Sequence, residues 1–201
     1  MAELILLRHG ESQWNLENRF TGWVDVPLSP RGEAEARAAG EKLRGRRIDV
    51  LFTSVLRRAT DTAHLALEVA GVQDVPTIRD AALNERMYGD LQGMNKAEAA
   101  QKFGAEQVKL WRRSYDVRPP GGESLADTAA RVLPFWEARI VPELRAGKNV
   151  LVVAHGNSLR ALVMHLDGLS REAVLALEIP TGRPLLYEMT SAGTPTAKRY
   201  L

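Results

Sequence analysis

The chain predicts an α/β fold: a doubly wound, mainly parallel sheet with helices on both faces. Three observations lead there. Leu4-Ile5-Leu6-Leu7-Arg8 and Val150-Leu151-Val152-Val153-Ala154 are compact apolar runs, as expected of strands buried on both faces of a parallel sheet. Strand-like runs alternate with helix-like stretches along the chain. Both apolar runs stop on the same dipeptide, His9-Gly10 and His155-Gly156, and pass into polar residues. Ligands of open α/β sheets bind beyond the carboxyl ends of the strands. Two distant histidines are therefore expected to face one another across one pocket.

In chain order, 3–8 reads as a strand and 9–28 as a long loop without clean periodicity. Ser29-Pro30 gives an N-cap followed by proline at the first helical position, with a helix to about Arg44 and Gly45 as its stop. Asp49–Thr53 is a second strand, Val55–Val69 a second helix and Val75–Arg79 a short third strand. Ser124 caps a long helix to Leu144, bent by Pro134 and stopped near Pro142. Lys148–Ala154 is the central strand, followed by a helix over Ser158–Leu166. Residues 184–190 and 195–200 close the sheet as a strand pair. The expected organisation is one domain spanning 1–201. The polar segment of about 83–122 is too long for an idle loop; it is expected to fold over the pocket as an insertion with two short helical stretches.

The 201 residues are enough to bury most apolar surface without staples. No cysteine is present, which excludes disulfides, thiolate chemistry and cysteine-based metal sites. A net charge of +2 gives no argument for nucleic acid or a membrane surface. Met1-Ala2-Glu3 leads straight into a strand without a basic region and cleavage site, so a cytoplasmic location is expected. Of the 27 basic residues 21 are arginine, whose planar fork matches phosphate and carboxylate. Most of these reflect composition; those beside the histidines or in tight pairs do not.

A neutral imidazole is a competent nucleophile toward phosphorus, and phosphoryl transfer needs cations to offset charge on the transferring oxygens. Arg8 adjoins His9. Arg57-Arg58 follows the second strand at the same sheet edge, and helical spacing points Ser54 and Arg58 together toward the pocket while Arg57 turns outward. Arg112-Arg113 is a second pair, in the insertion. His155 opens a loop-to-helix turn whose free N–H groups favour an anion. Other polar and aromatic residues read more simply. His64 and His165 suit helix surface or packing. Arg160 suits a structural salt bridge at least as well as a substrate contact. Trp111 and Trp136 suit packing, Arg44 to Arg47 a solvated helix end, and Asp25 the shaping of a loop.

Arg8-His9-Gly10-Glu11-Ser12 with the distant His155-Gly156 resembles the histidine phosphatase superfamily, named for its Arg-His-Gly motif and its phosphohistidine intermediate. The likeness extends through Gln13-Trp14-Asn15, Phe20-Thr21-Gly22-Trp23-Val24-Asp25 and Leu83-Asn84-Glu85-Arg86-Met87-Tyr88-Gly89. It continues through Trp111-Arg112-Arg113-Ser114-Tyr115, His155-Gly156-Asn157-Ser158-Leu159-Arg160 and Ile179-Pro180-Thr181-Gly182. Together, from about Leu4 to Tyr200, these resemble the cofactor-dependent phosphoglycerate mutases, the branch primed by 2,3-bisphosphoglycerate. The resemblance implies interconversion of 3-phosphoglycerate and 2-phosphoglycerate. It makes His9 the residue phosphorylated, with Arg8, Arg58 and His155 holding the phosphoryl group and Glu85 the acid–base group for the substrate hydroxyl. Ser12, Asn15, Thr21, Gly22, Gly156 and Asn157 would line the phosphate or substrate site. Tyr88, Lys96, Arg112 and Arg113 would grip the substrate carboxylate and second phosphate. It implies no metal, and a homo-oligomer with a dimer favoured.

The sequence departs from longer mutases at three places. Met87 stands where histidine is frequent. The stretch between Tyr115 and Gly122 lacks a segment of roughly two dozen residues, on the scale of a long functional loop. The sequence stops at Leu201 without a tail to cover the site, and an open site exposes an intermediate to water. A broad-specificity phosphatase on the same fold needs His9, Arg8, Arg58, Glu85 and His155 but not Lys96, Arg112 and Arg113. A non-catalytic phosphate-ligand sensor could dispense with the nucleophile altogether.

Overall fold

The computed structural model describes residues 1–201. One six-stranded sheet organises them, built from β1 (Ala2–Arg8), β2 (Val50–Thr53), β3 (Thr77–Arg79), β4 (Val150–Ala154), β5 (Leu185–Met189) and β6 (Pro195–Tyr200). The strand order is β3-β2-β4-β1-β5-β6. The four strands from β3 to β1 are parallel, and β5 and β6 add an antiparallel pair at one edge. The mainly parallel, doubly wound sheet expected from the alternation is thus what forms.

Strand periodicity assigns the two faces. Leu4, Leu6, Phe52, Val150 and Val152 enter one core. Ile5, Leu7, Leu51, Leu151 and Val153 enter the other. The second core is closed by α2 (Pro30–Leu43) and α3 (Arg57–Ala70), and the first by α6 (Leu125–Phe135), α7 (Val141–Arg145) and α8 (Gly156–Asp167). No helix is long and apolar enough to cross a membrane.

Ser29 caps α2 through Gly32 N–H and Pro30 sits in its first turn, as the sequence indicated. The loop before it contains a turn of helix that periodicity did not reveal, α1 (Gln13–Leu16), held by a Ser12–Asn15 capping box. The helical run expected to Leu144 ends at Arg145, but it is not one continuous α-helix. It passes from α6 through a π-type turn (Trp136–Ile140) into α7, with Pro142 in the first turn of that segment, where its missing N–H is tolerated. α8 begins two residues before the expected start, because His155 itself is the N-cap.

The segment 83–122 carries the two expected helices, α4 (Lys96–Phe103) and α5 (Ala105–Arg113). It has a small apolar cluster of its own in Leu91, Ala99, Val108 and Trp111 with Phe20 from the long loop. A last short helix, α9 (Arg171–Ala176), was not apparent from the sequence.

Candidate active site

β1 and β4 are parallel neighbours whose register pairs Arg8 with Ala154, so both chains leave the sheet side by side. His9 N–H donates to the Ala154 carbonyl at 3.0 Å, and the His9 and His155 rings meet edge-on with centroids 5.0 Å apart. The pair expected from the repeated dipeptide is therefore formed. His9 is 2% exposed and His155 fully buried. Burial, followed by the charges of Arg58 and other cations, holds both well below the ordinary histidine pKa, so each is neutral at pH 7.

Hydrogen bonds fix which nitrogens are free. His9 Nδ1 lies 2.6 Å from the Gly10 carbonyl and donates to it, leaving Nε2 with its lone pair unpartnered. His155 Nε2 lies 2.7 Å from Ser54 Oγ, while its Nδ1 is buried without a partner. Ser54 does reach the site, although it precedes α3 rather than sharing a helical face with Arg58. Arg58, 1% exposed, donates to the Gly22 and Val24 carbonyls at 2.7 and 2.9 Å. Burial pulls its pKa down to about 10, and it remains charged. Arg57 turns outward to Asp61, and Asp25 shapes the loop by accepting from Arg57 N–H. Arg8 donates through Nη1 to the Ile179 carbonyl, and its buried Nε is unpartnered.

A cavity of about 190 Å³ opens beside the histidines; Arg8 and Gly156, the chain neighbours of His9 and His155, belong to its lining, whereas the two imidazoles and Arg58 do not. Arg8, Arg19, Lys96, Arg112, Arg113 and Arg160 line it, against only Glu85 and Glu178. Asn15, Thr21, Gly22, Tyr88, Gly156 and Asn157 complete the wall. Burial and then Arg112 lower the Lys96 pKa to about 8. Arg113 reaches Glu178 across the mouth at 3.3 Å. Ser12 is the exception among the expected lining residues: it is fully buried, and its hydroxyl is used to cap α1. No group of three or more His, Asp and Glu side chains is placed to hold a metal ion.

Glu85 is 9% exposed, and its Oε1 accepts from the backbone N–H groups of Arg86 and Asn157 at 2.8 and 3.0 Å. Its carbonyl accepts from Trp23 Nε1 at 2.6 Å and Arg131 Nη2 at 2.8 Å. Trp23 falls inside the Phe20–Asp25 motif without a role attached to it, and Arg131 lies in none of the motifs. Arg160 forms no salt bridge; it donates to Asn157 Oδ1 at 2.9 Å and the Val174 carbonyl at 2.7 Å, tying the first turn of α8 to α9. His64 and His165 lie on the surface, and Trp111 and Trp136 are packed, as expected.

A neutral imidazole packed against a second imidazole, next in sequence to a cavity lined by six cations and a carboxyl group, has the parts for phosphoryl transfer through histidine. The chain belongs to the histidine phosphatase superfamily (branch 1), whose family model matches residues 4–199. Among its relatives, the 2,3-bisphosphoglycerate-dependent phosphoglycerate mutase of Mesorhizobium japonicum is 55% identical over 200 residues, covering 98% of this chain and 97% of the relative. The protein of the same name from Caulobacter vibrioides is 52% identical over 225 positions, covering 100% and 95%. The Caulobacter alignment therefore contains about two dozen positions with no counterpart in the 201 residues of this chain. Among solved structures, a mycobacterial glucosyl-3-phosphoglycerate phosphatase in complex with VO3 superposes with a TM-score of 0.84 at 29% identity, covering 100% of this chain and 97% of that one.

Proposed function

We infer that the protein is a 2,3-bisphosphoglycerate-dependent phosphoglycerate mutase, interconverting 3-phosphoglycerate and 2-phosphoglycerate through a phosphohistidine. The observation that carries the reading is a neutral His9 with a free Nε2, directly following Arg8, which is one of six cations lining the cavity. His9 Nε2 attacks phosphorus, forming an N–P bond as the bond from phosphorus to the substrate oxygen breaks. Arg8, Arg58 and His155 hold the transferring oxygens; a Ser54 hydroxyl donating to His155 Nε2 leaves the Nδ1 proton for one of them. Glu85 supplies the proton to the departing oxygen and takes one from the hydroxyl that attacks in the return step. 2,3-Bisphosphoglycerate supplies the priming phosphoryl group, and guanidinium charge stands where other phosphotransferases use Mg²⁺.

Asn15, Thr21, Gly22, Tyr88, Gly156 and Asn157 shape the substrate site, and Lys96, Arg112 and Arg113 hold the glycerate while it reorients. That grip favours a mutase over a general phosphatase. So does the Mesorhizobium relative, which matches this chain nearly end to end without added length. The phosphatase reading draws on the mycobacterial neighbour, named for hydrolysis, at 29% identity. The proposal includes one domain with a folded-over insertion, a cytoplasmic location and a homodimer, with neither nucleic acid nor membrane as partner.

One assay separates the two activities. 2-Phosphoglycerate formation from 3-phosphoglycerate is measured with and without 2,3-bisphosphoglycerate, with phosphate release followed in parallel. The mutase reading predicts isomerisation that depends on the bisphosphate and exceeds phosphate release. Phosphate release without isomerisation would make the protein a phosphatase.

A further inference from the structure

Glu85 sits on no regular element, between two short 3₁₀ turns (Ala81–Leu83 and Gly89–Leu91). A general acid must nonetheless be held in one orientation, within hydrogen-bond reach of the oxygen it serves. Arg131, from the middle of α6, reaches this segment with its whole fork. Nη1 donates to the carbonyls of Ala82 at 2.7 Å and Asn84 at 3.0 Å, and Nη2 to that of Glu85 at 2.8 Å. The Glu123 carboxylate accepts from Arg131 Nε and Nη2, both at 3.0 Å, and also from Met87 N–H at 3.3 Å. The guanidinium and its carboxylate partner thus bracket the backbone on both sides of Glu85. Trp23 completes the clamp: its indole N–H donates to the Glu85 carbonyl, and the Arg131 guanidinium lies 5.5 Å from the centroid of its ring. With Oε1 taken by two backbone N–H groups, only Oε2 is left to exchange a proton with a ligand.

We propose that Arg131, together with Trp23, is a positioning residue for Glu85, clamping residues 82–87 so that Glu85 Oε2 is aimed at the oxygen entering or leaving phosphorus. The inference rests on the reading of Glu85 as the acid–base group. Its signature is dependence on the leaving group. An alkyl oxygen departs with a proton supplied by Glu85, whereas a nitrophenolate departs without one. A clamp that aims the acid matters for the first and not for the second. A residue that merely stabilises the fold affects both alike.

The test measures the rate of protein phosphorylation by 2,3-bisphosphoglycerate and by nitrophenyl phosphate in the wild type, Glu85→Gln, Arg131→Lys and Trp23→Phe. Glu85→Gln is expected to slow transfer from the alkyl ester by about 10² or more, with a far smaller change for the aryl ester. Arg131→Lys keeps the charge but loses the fork, and Trp23→Phe keeps a ring but loses the N–H. Each is expected to show the same selectivity at about tenfold for the alkyl ester. Trp23→Phe carries the test should Arg131→Lys not fold. Equal losses on both esters in Trp23→Phe and Arg131→Lys, or no loss on either, with Glu85→Gln still selective, would overturn the clamp and leave Glu85 in its role. A Glu85→Gln variant without selectivity would overturn the reading of Glu85 itself.

Discussion

Burial decides what the individual side chains can do. Two imidazoles are packed against Arg58 and Arg8 and stay unprotonated, so that one can act as a nucleophile and the other as a donor. Lys96 is the cation in the cavity whose charge is open to adjustment near neutrality, since burial among other cations brings it to about 8. In the free protein it loses its proton as the pH rises through 8, and an anionic ligand then meets one positive charge fewer. We predict that kcat/KM for 3-phosphoglycerate falls above about pH 8 and that Lys96→Arg moves this limb to higher pH, because kcat/KM reports the free enzyme's groups. A limb unchanged in Lys96→Arg would assign it to another group. Legibility at this scale divides by chemistry. His9, His155, Arg8, Arg58, Glu85 and the Lys96/Arg112/Arg113 set carry charge or nucleophilicity in a recognisable context. Arg131 and Trp23 act through backbone carbonyls, which have no residue signature, and the capping role of Ser12 shows only once the α1 turn is seen.

Secondary-structure elements position the site by their ends. The turn after His9 lies against the first turn of α2 with backbone on backbone. A Cβ on Gly32 would fall 1.9 Å from the Glu11 carbonyl oxygen, and one on Gly10 would fall 2.1 Å from that of Gly32. Thr62 on α3 secures the same turn by accepting from Gly10 N–H at 3.1 Å. Gly32→Ala must therefore push the Glu11 turn away from α2. We predict a destabilisation of about 1–3 kcal/mol from overpacking, read as a lower urea midpoint, with slower phosphorylation of the adjoining His9. An unchanged midpoint would show that α2 can retreat freely. The elements legible in the sequence were the six strands and the longer helices α2, α3, α6 and α8. α1 and α9 are too short for periodicity to register, and the π turn that interrupts the long helix has no signal of its own.

At the scale of the whole molecule, a sheet buried on both faces carries two neutral histidines at its edge, and stability inherits their titration. Their folded pKa values lie below the unfolded value of about 6.5, so the unfolded chain binds more protons as the pH falls. The corresponding stability is present above pH 6.5 and is lost as the pH drops from 6.5 toward the depressed folded values. Urea midpoints measured from pH 7.5 down to 5 should decline below 6.5, and His9→Gln should flatten that decline. Parallel curves for wild type and His9→Gln would mean that His9 is not held neutral by the fold. The doubly wound architecture followed from the alternation of elements, because that pattern admits few other layerings. The clamp around Glu85 did not, because it depends on which carbonyls face α6 after the insertion has folded.

Phosphoryl transfer turns on one atom, Nε2 of His9, which is left free because Nδ1 donates to the Gly10 carbonyl. The most direct measurement is phosphorus NMR, with mass spectrometry, on the protein after exposure to 2,3-bisphosphoglycerate. The expected result is an acid-labile phosphoryl group on His9 Nε2 that is absent from His9→Gln. Phosphorylation of His155, attachment at His9 Nδ1, or bisphosphate-dependent isomerisation that persists in His9→Gln would contradict it.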